Sequence, residues 1–138
     1  MQNATPVIAA GVTLLALAAI TVAVVFTRHG IVVKSGLMSN CVSYVWAGSW
    51  TTRASRIDGH CRLDKTLDGS QLAALRVSGT HSSGRVLLTM TQGHVEQAVE
   101  LTGGFDDRLD MSAFQPGRVR MRVDYHDAAG VIVAVSWS

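Results

Sequence analysis

The chain has 138 residues, of which 12 are Lys or Arg and 10 are Asp or Glu, giving a formal net charge of +2. That length holds one ordinary domain once a hydrophobic N-terminus is set aside. So near a charge balance excludes the concentrated basic face that nucleic-acid binding needs, so nucleic acid is not among the expected partners.

The first 27 residues contain no Asp, Glu, Lys, Arg or His. Val7 to Phe26 reads VIAAGVTLLALAAITVAVVF. As a helix rising 1.5 Å per residue, it would cross about 30 Å of hydrocarbon. Thr5-Pro6 suits a helix start, because Thr caps and Pro is tolerated in the first turn; Arg28 and His29 end the run. These features predict a transmembrane helix over residues 1–28, a linker over 29–40 and a β domain over 41–138. A cleaved secretory signal is the competing reading, but the run exceeds the usual apolar stretch and no basic segment precedes it. Asn3-Ala4-Thr5 matches a glycosylation sequon, treated as chance so near the bilayer. Ala19 and Ala23, four apart, would let another helix approach closely.

Two rules disagree on orientation. Arg28 and Lys34 follow the helix, which by the positive-inside rule places the β domain in the cytoplasm. Cys41 and Cys61 argue the other way: a disulfide between them would close a loop of about 20 residues, contribute roughly 3 kcal/mol and require an oxidising compartment. Two free buried thiols would look the same in sequence. The expectation is a Cys41–Cys61 disulfide and an extracytoplasmic domain.

Short strands are expected at Val42 to Trp46 and Arg76 to Thr80, with one helical turn near Ser70 to Ala74. Trp50 to Ile57 and His60 to Leu67 flank Asp58-Gly59, which predicts a type I′ hairpin with Trp50, Ala54, Cys61, Leu63 and Leu67 on the core face. Arg85 to Gln92 and Val95 to Leu101 flank Gly93-His94, which suits a type II′ hairpin. Gln92 then faces Val95, Met90 faces Gln97, Leu88 faces Val99 and Val86 faces Leu101. Val119, Met121, Val123 and Tyr125 alternate with Arg118, Arg120, Arg122 and Asp124, Val131, Val133, Val135 and Trp137 alternate with Ile132, Ala134 and Ser136, and Asp127 to Gly130 is expected to turn between them. About eight short antiparallel strands predict an all-β sandwich, Ig-like or jelly-roll-like.

The stretches GRVLLTMTQG (Gly84 to Gly93), LDMSAFQPGRVRMRV (Leu109 to Val123) and VSW (Val135 to Trp137) resemble a family of small, uncharacterised secreted or membrane-anchored bacterial β-sandwich proteins. The likeness runs from about Thr51 to Trp137 and rests on strand and turn residues. It implies fold and surface exposure, and no active site. Many members are lipoproteins, whereas this chain has no lipid-accepting Cys after its apolar run.

Candidate sites are few. His29, His60, His81, His94 and His126 form no short-spaced ligand pair, so no metal or other cofactor is expected. Asp106, Asp107 and Asp110 could offer oxygens to Ca²⁺ but lack a calcium-loop spacing. His81, Ser82 and Ser83 have the residue types for hydrolysis without a triad context, so a turn is the plainer reading and no enzyme is expected. Trp50 and Trp137 are expected in the core, leaving Tyr44 and Trp46 as an exposed aromatic pair suited to a sugar. Arg118, Arg120 and Arg122 share one face at strand spacing, where they could meet anionic lipid or an acidic partner, or simply keep an outer face soluble. The expected role is a membrane-anchored, non-enzymatic binding or structural module at the cell surface, with membrane lipid as a partner. The alternatives are a pilin-like filament subunit and an accessory subunit of a membrane complex; in both, the apolar helix mediates self-association or docking.

Overall fold

The computed structural model describes residues 31–138, so the expected transmembrane helix lies outside the described residues. Among the described residues no helix is long and apolar enough to cross a membrane. The domain is antiparallel β throughout, with strands β1 (Ile31–Ser39), β2 (Val42–Trp46), β3 (Ser49–Leu67), β4 (Arg76–Thr80), β5 (Ser83–Gln92), β6 (Val95–Leu101), β7 (Gly104–Arg108) and β8 (Gly117–Ser136). One short helix, α1 (Gly69–Ala73), follows β3 and is fixed by a capping box in which Asp68 accepts from the Gln71 amide while the Gln71 side chain accepts from the Asp68 amide.

The eight strands are hydrogen-bonded into one sheet, built on a ribbon of the two longest, β3 and β8. One half of the ribbon is flanked by β2 on one side and by β4 then β7 on the other. The other half is flanked by β1 on one side and by β5 then β6 on the other. Lys65 pairs with Val119 near the start of β8, yet its ammonium lies 5.2 Å from the ring of Trp137, just past that strand's end. A straight strand would separate those positions by about 60 Å. The ribbon therefore folds back on itself, and the inward faces of both halves share one core, from Trp50, Val77, Val133 and Trp137 to Leu63, Leu88, Met90 and Met121.

Three expectations about the chain's course are corrected. Asp58-Gly59 is not a hairpin turn, because β3 runs through it, and Asp127 to Gly130 is not a turn, because β8 runs through it. The two sites lie against each other: the β3–β8 register shifts between Ile57 and Gly59, which pair with Ala128 and Tyr125. His126 and Asp127 thus face the single residue Asp58, with Asp127 at φ +46, as in a β-bulge. The extra residue flips inward parity, so Tyr125 and Ala128 are both buried. A bulge and a turn leave the same mark on a hydrophobic pattern. The core face expected for Trp50, Ala54, Cys61, Leu63 and Leu67 is accordingly correct, with all five buried. The third correction is residues 31–39, expected as linker, which form β1 and pair with β3 along their whole length. The β5–β6 hairpin has the register expected of it, and Gly93 takes φ +57.

Candidate functional site: an arginine-rich outer face

On β8, Val119, Met121, Val123 and Tyr125 point into the core, which forces Arg118, Arg120 and Arg122 onto the outer face. Their side chains are 76%, 53% and 46% exposed. The ribbon register adds neighbours that alternation alone does not reveal. Arg118 lies opposite Thr66, Arg120 opposite Asp64, Arg122 opposite Arg62, and Asp124 opposite His60. This stretch of outer ribbon therefore carries four arginines against two aspartates. Arg62 and Arg122 are like charges in direct cross-strand opposition, an arrangement that costs stability.

Asp64 is the hub of the cluster. Arg120 grips it through Nε at 3.0 Å and a terminal nitrogen at 3.4 Å, and Arg118 approaches to 3.5 Å. Burial pushes its carboxyl up, but the hydrogen bond and charge of Arg120, then the charges of Arg62 and Arg118, outweigh that and hold it below the usual carboxylate range. One carboxylate thus serves three guanidinium groups. Arg122 instead pairs with Asp124 at 2.9 Å. Beside the cluster, Asp64, Arg118 and Arg120 join Thr91, Gln92 and Gly93 around a shallow concavity of about 290 Å³. Gln92 stiffens one wall, donating to the Gln115 carbonyl at 2.7 Å and accepting from the Gln115 amide at 2.8 Å.

The remaining candidates separate. Tyr44 and Trp46 are 45% and 67% exposed and share the outer face of β2 with Val42, which is 56% exposed. That strand flanks the opposite half of the ribbon from Arg118 and Arg120. Trp50 and Trp137 are buried as expected, Trp50 donating to Ser43 Oγ at 2.8 Å. Asp106 pairs with Arg76 at 2.7 Å, whereas Asp110 accepts from the Ser112 amide, so these two acids serve different partners. Among the described residues no group of three or more His, Cys, Asp or Glu is placed to hold a metal ion. His81 has Nδ1 3.2 Å from the Ser83 carbonyl and Nε2 2.7 Å from the Leu101 carbonyl, so the ring joins backbone to backbone and is not directed at Ser82 or Ser83.

The Cys41–Cys61 disulfide is also corrected: both are free thiols. Cys61 is fully buried on the inward face of β3. Burial, with the neighbouring Cys41 adding to it, pushes its thiol up to about 12, so Cys61 itself supplies almost no thiolate at neutral pH.

Arg62 and Asp64 were not singled out by sequence reasoning, because Asp58-Gly59 appeared to pair this segment with Trp50 to Ile57 and not with β8. The available signal was the row of arginines on a second strand of matching alternation. No family model matches the chain, and no curated protein is similar to it.

Proposed function

We propose that the chain is a membrane-tethered, non-enzymatic binding module whose β domain packs as a sandwich on the extracytoplasmic side of a bilayer. The observation that carries this reading is the absence of slack between anchor and domain. The apolar run ends at Phe26 and β1 begins at Ile31, with only four residues between them. The five chain steps from Phe26 to Ile31 span at most about 18 Å, so the domain can stand no further than that from the end of the apolar segment. β1 is itself structural, paired with β3 over nine residues, so the tether pulls on the sheet and not on a loop.

The non-enzymatic part rests on His81 being held by two backbone carbonyls next to the serines it would have to activate. The extracytoplasmic side rests on the likeness to secreted and membrane-anchored β proteins. The cysteines, being free, no longer argue for it, and Arg28 and Lys34 argue for the opposite side.

Leu37 on β1 is 80% exposed and offers a reporter. In a Cys41→Ser, Leu37→Cys chain, a membrane-impermeant maleimide is expected to label intact cells as fully as lysed ones. Labelling only after lysis would reverse the orientation.

A further inference from the structure

We propose that Arg118 and Arg120, gathered around Asp64 and reinforced by the charge of Arg62, bind the phosphate groups of anionic lipids in the bilayer that the chain's own apolar segment enters. The inference rests on the tethered reading above. Ile31, the first residue of β1, pairs with Asp64, and Asp64 in turn pairs with Arg120. The row at which β1 begins is therefore the row that holds the cluster. Arg118, opposite Thr66, lies two residues further along the ribbon, beyond the start of β1. Arg120 also pairs with Thr91 of β5, one residue from Gln92 and the Gly93-His94 turn, so the hairpin tip lies at this same end. Four intervening residues cannot carry that end far from the headgroup layer.

Charge and shape agree with position. Three guanidinium groups share a single carboxylate, which leaves donors unused, and a guanidinium fork matches phosphate oxygens. The concavity between Arg118, Arg120 and Gln92 is open to solvent-borne groups and also presents the Thr91 hydroxyl. The anions that face this surface from neighbouring strands are Glu96, paired with Thr91 on β6, and Glu100, which Arg85 engages at 3.1 Å. Arg122 belongs to the same face but is committed to Asp124 and shares with Arg62 the row one step further along the ribbon, outside the concavity. It therefore contributes to the field and not to the pocket.

The test uses the full chain reconstituted into vesicles of phosphatidylcholine, with or without phosphatidylglycerol, carrying a spin label at His94→Cys in a Cys41→Ser background. Contact of the hairpin tip with the headgroup layer is read from relaxation by a nickel-chelating lipid. Phosphatidylglycerol is expected to bring the label to the headgroups. In R118Q/R120Q the contact is expected to fall to the phosphatidylcholine level, each arginine shifting the docked-to-undocked ratio by about fivefold. Asp64→Asn, which removes the competing carboxylate and keeps all the arginines, is expected to move the label the other way, into closer contact. A label indifferent to phosphatidylglycerol, or an R118Q/R120Q chain that docks like the parent, overturns the assignment. Inorganic phosphate is the second probe: if it perturbs Arg118 and Arg120 while phosphatidylglycerol leaves the label unmoved, the site takes a soluble anion and the bilayer assignment fails. A chain that leaves the vesicles on an alkaline wash overturns the tethered reading, and this inference with it, in a separate measurement.

Discussion

At the scale of single residues, three side chains have consequences that can be measured directly. Asp64 has a depressed folded-state carboxyl, so its contribution to stability is present above the unfolded value of about 4 and is lost as pH falls through the lower folded value. Its arginine partners are half or more exposed, which limits the contribution to about 1 kcal/mol. Asp64→Asn should lose that amount near neutral pH and flatten the acid limb of the stability curve in chemical denaturation; an unchanged acid limb would show that the cluster does not act through this carboxylate. His81 lies between the Ser83 and Leu101 carbonyls in a buried position, and an imidazole with one N–H donates to only one of them, so His81→Ala should cost roughly 1 kcal/mol in urea. Cys61, pushed up to about 12, should resist thiol reagents at neutral pH in the folded protein and react once it is unfolded. Two free thiols should be counted in denaturant without reductant.

At the scale of elements, what could be read in the sequence depended on whether a strand's partner lay close along the chain. β2 and β4 have the bounds their alternation indicates, and β5–β6 has the register its Gly93-His94 turn dictates, because both strands and turn lie within about twenty residues. The β3–β8 ribbon could not be assembled that way. On β3 the inward parity changes between Ala54 and Ile57, just before the Asp-Gly pair, the same pattern that a hairpin produces, and only the long-range partner distinguishes the two. β7, Gly-Phe-Asp-Asp-Arg, shows no apolar alternation from which to read a strand; as an outermost strand it needs none. The same limit governed the site. Arg118, Arg120 and Arg122 follow from a period of two, whereas Arg62 and Asp64 become their neighbours only through the ribbon.

Gly59 separates the hairpin and bulge readings by experiment. It does not sit at positive φ, but a Cβ there would collide with the Ser35 carbonyl oxygen and the Gly36 Cα on β1. Gly59→Ala should therefore cost about 3 kcal/mol through backbone overpacking and loosen β1, seen as faster amide exchange at Ser35 and Leu37. A neutral Gly59→Ala would mean that β1 does not pack against this part of β3.

At the scale of the whole molecule, a folded-back ribbon with one shared core carries a strand, β1, that begins four residues after the apolar run in the sequence. With only four residues between that run and β1, the proposed tether would set the domain's working surface by how it stands on the bilayer. Everything proposed for the arginine face depends on that anchor being in a bilayer. The most direct test is alkaline extraction of membranes containing the full chain, compared with the same chain carrying Leu15→Arg and Ile20→Arg. Each arginine at mid-run costs about 3 kcal/mol of insertion and leaves the β domain untouched. The unaltered chain is expected to stay with the membrane and the double variant to wash off. Release of the unaltered chain, or equal retention of both, would contradict a membrane tether.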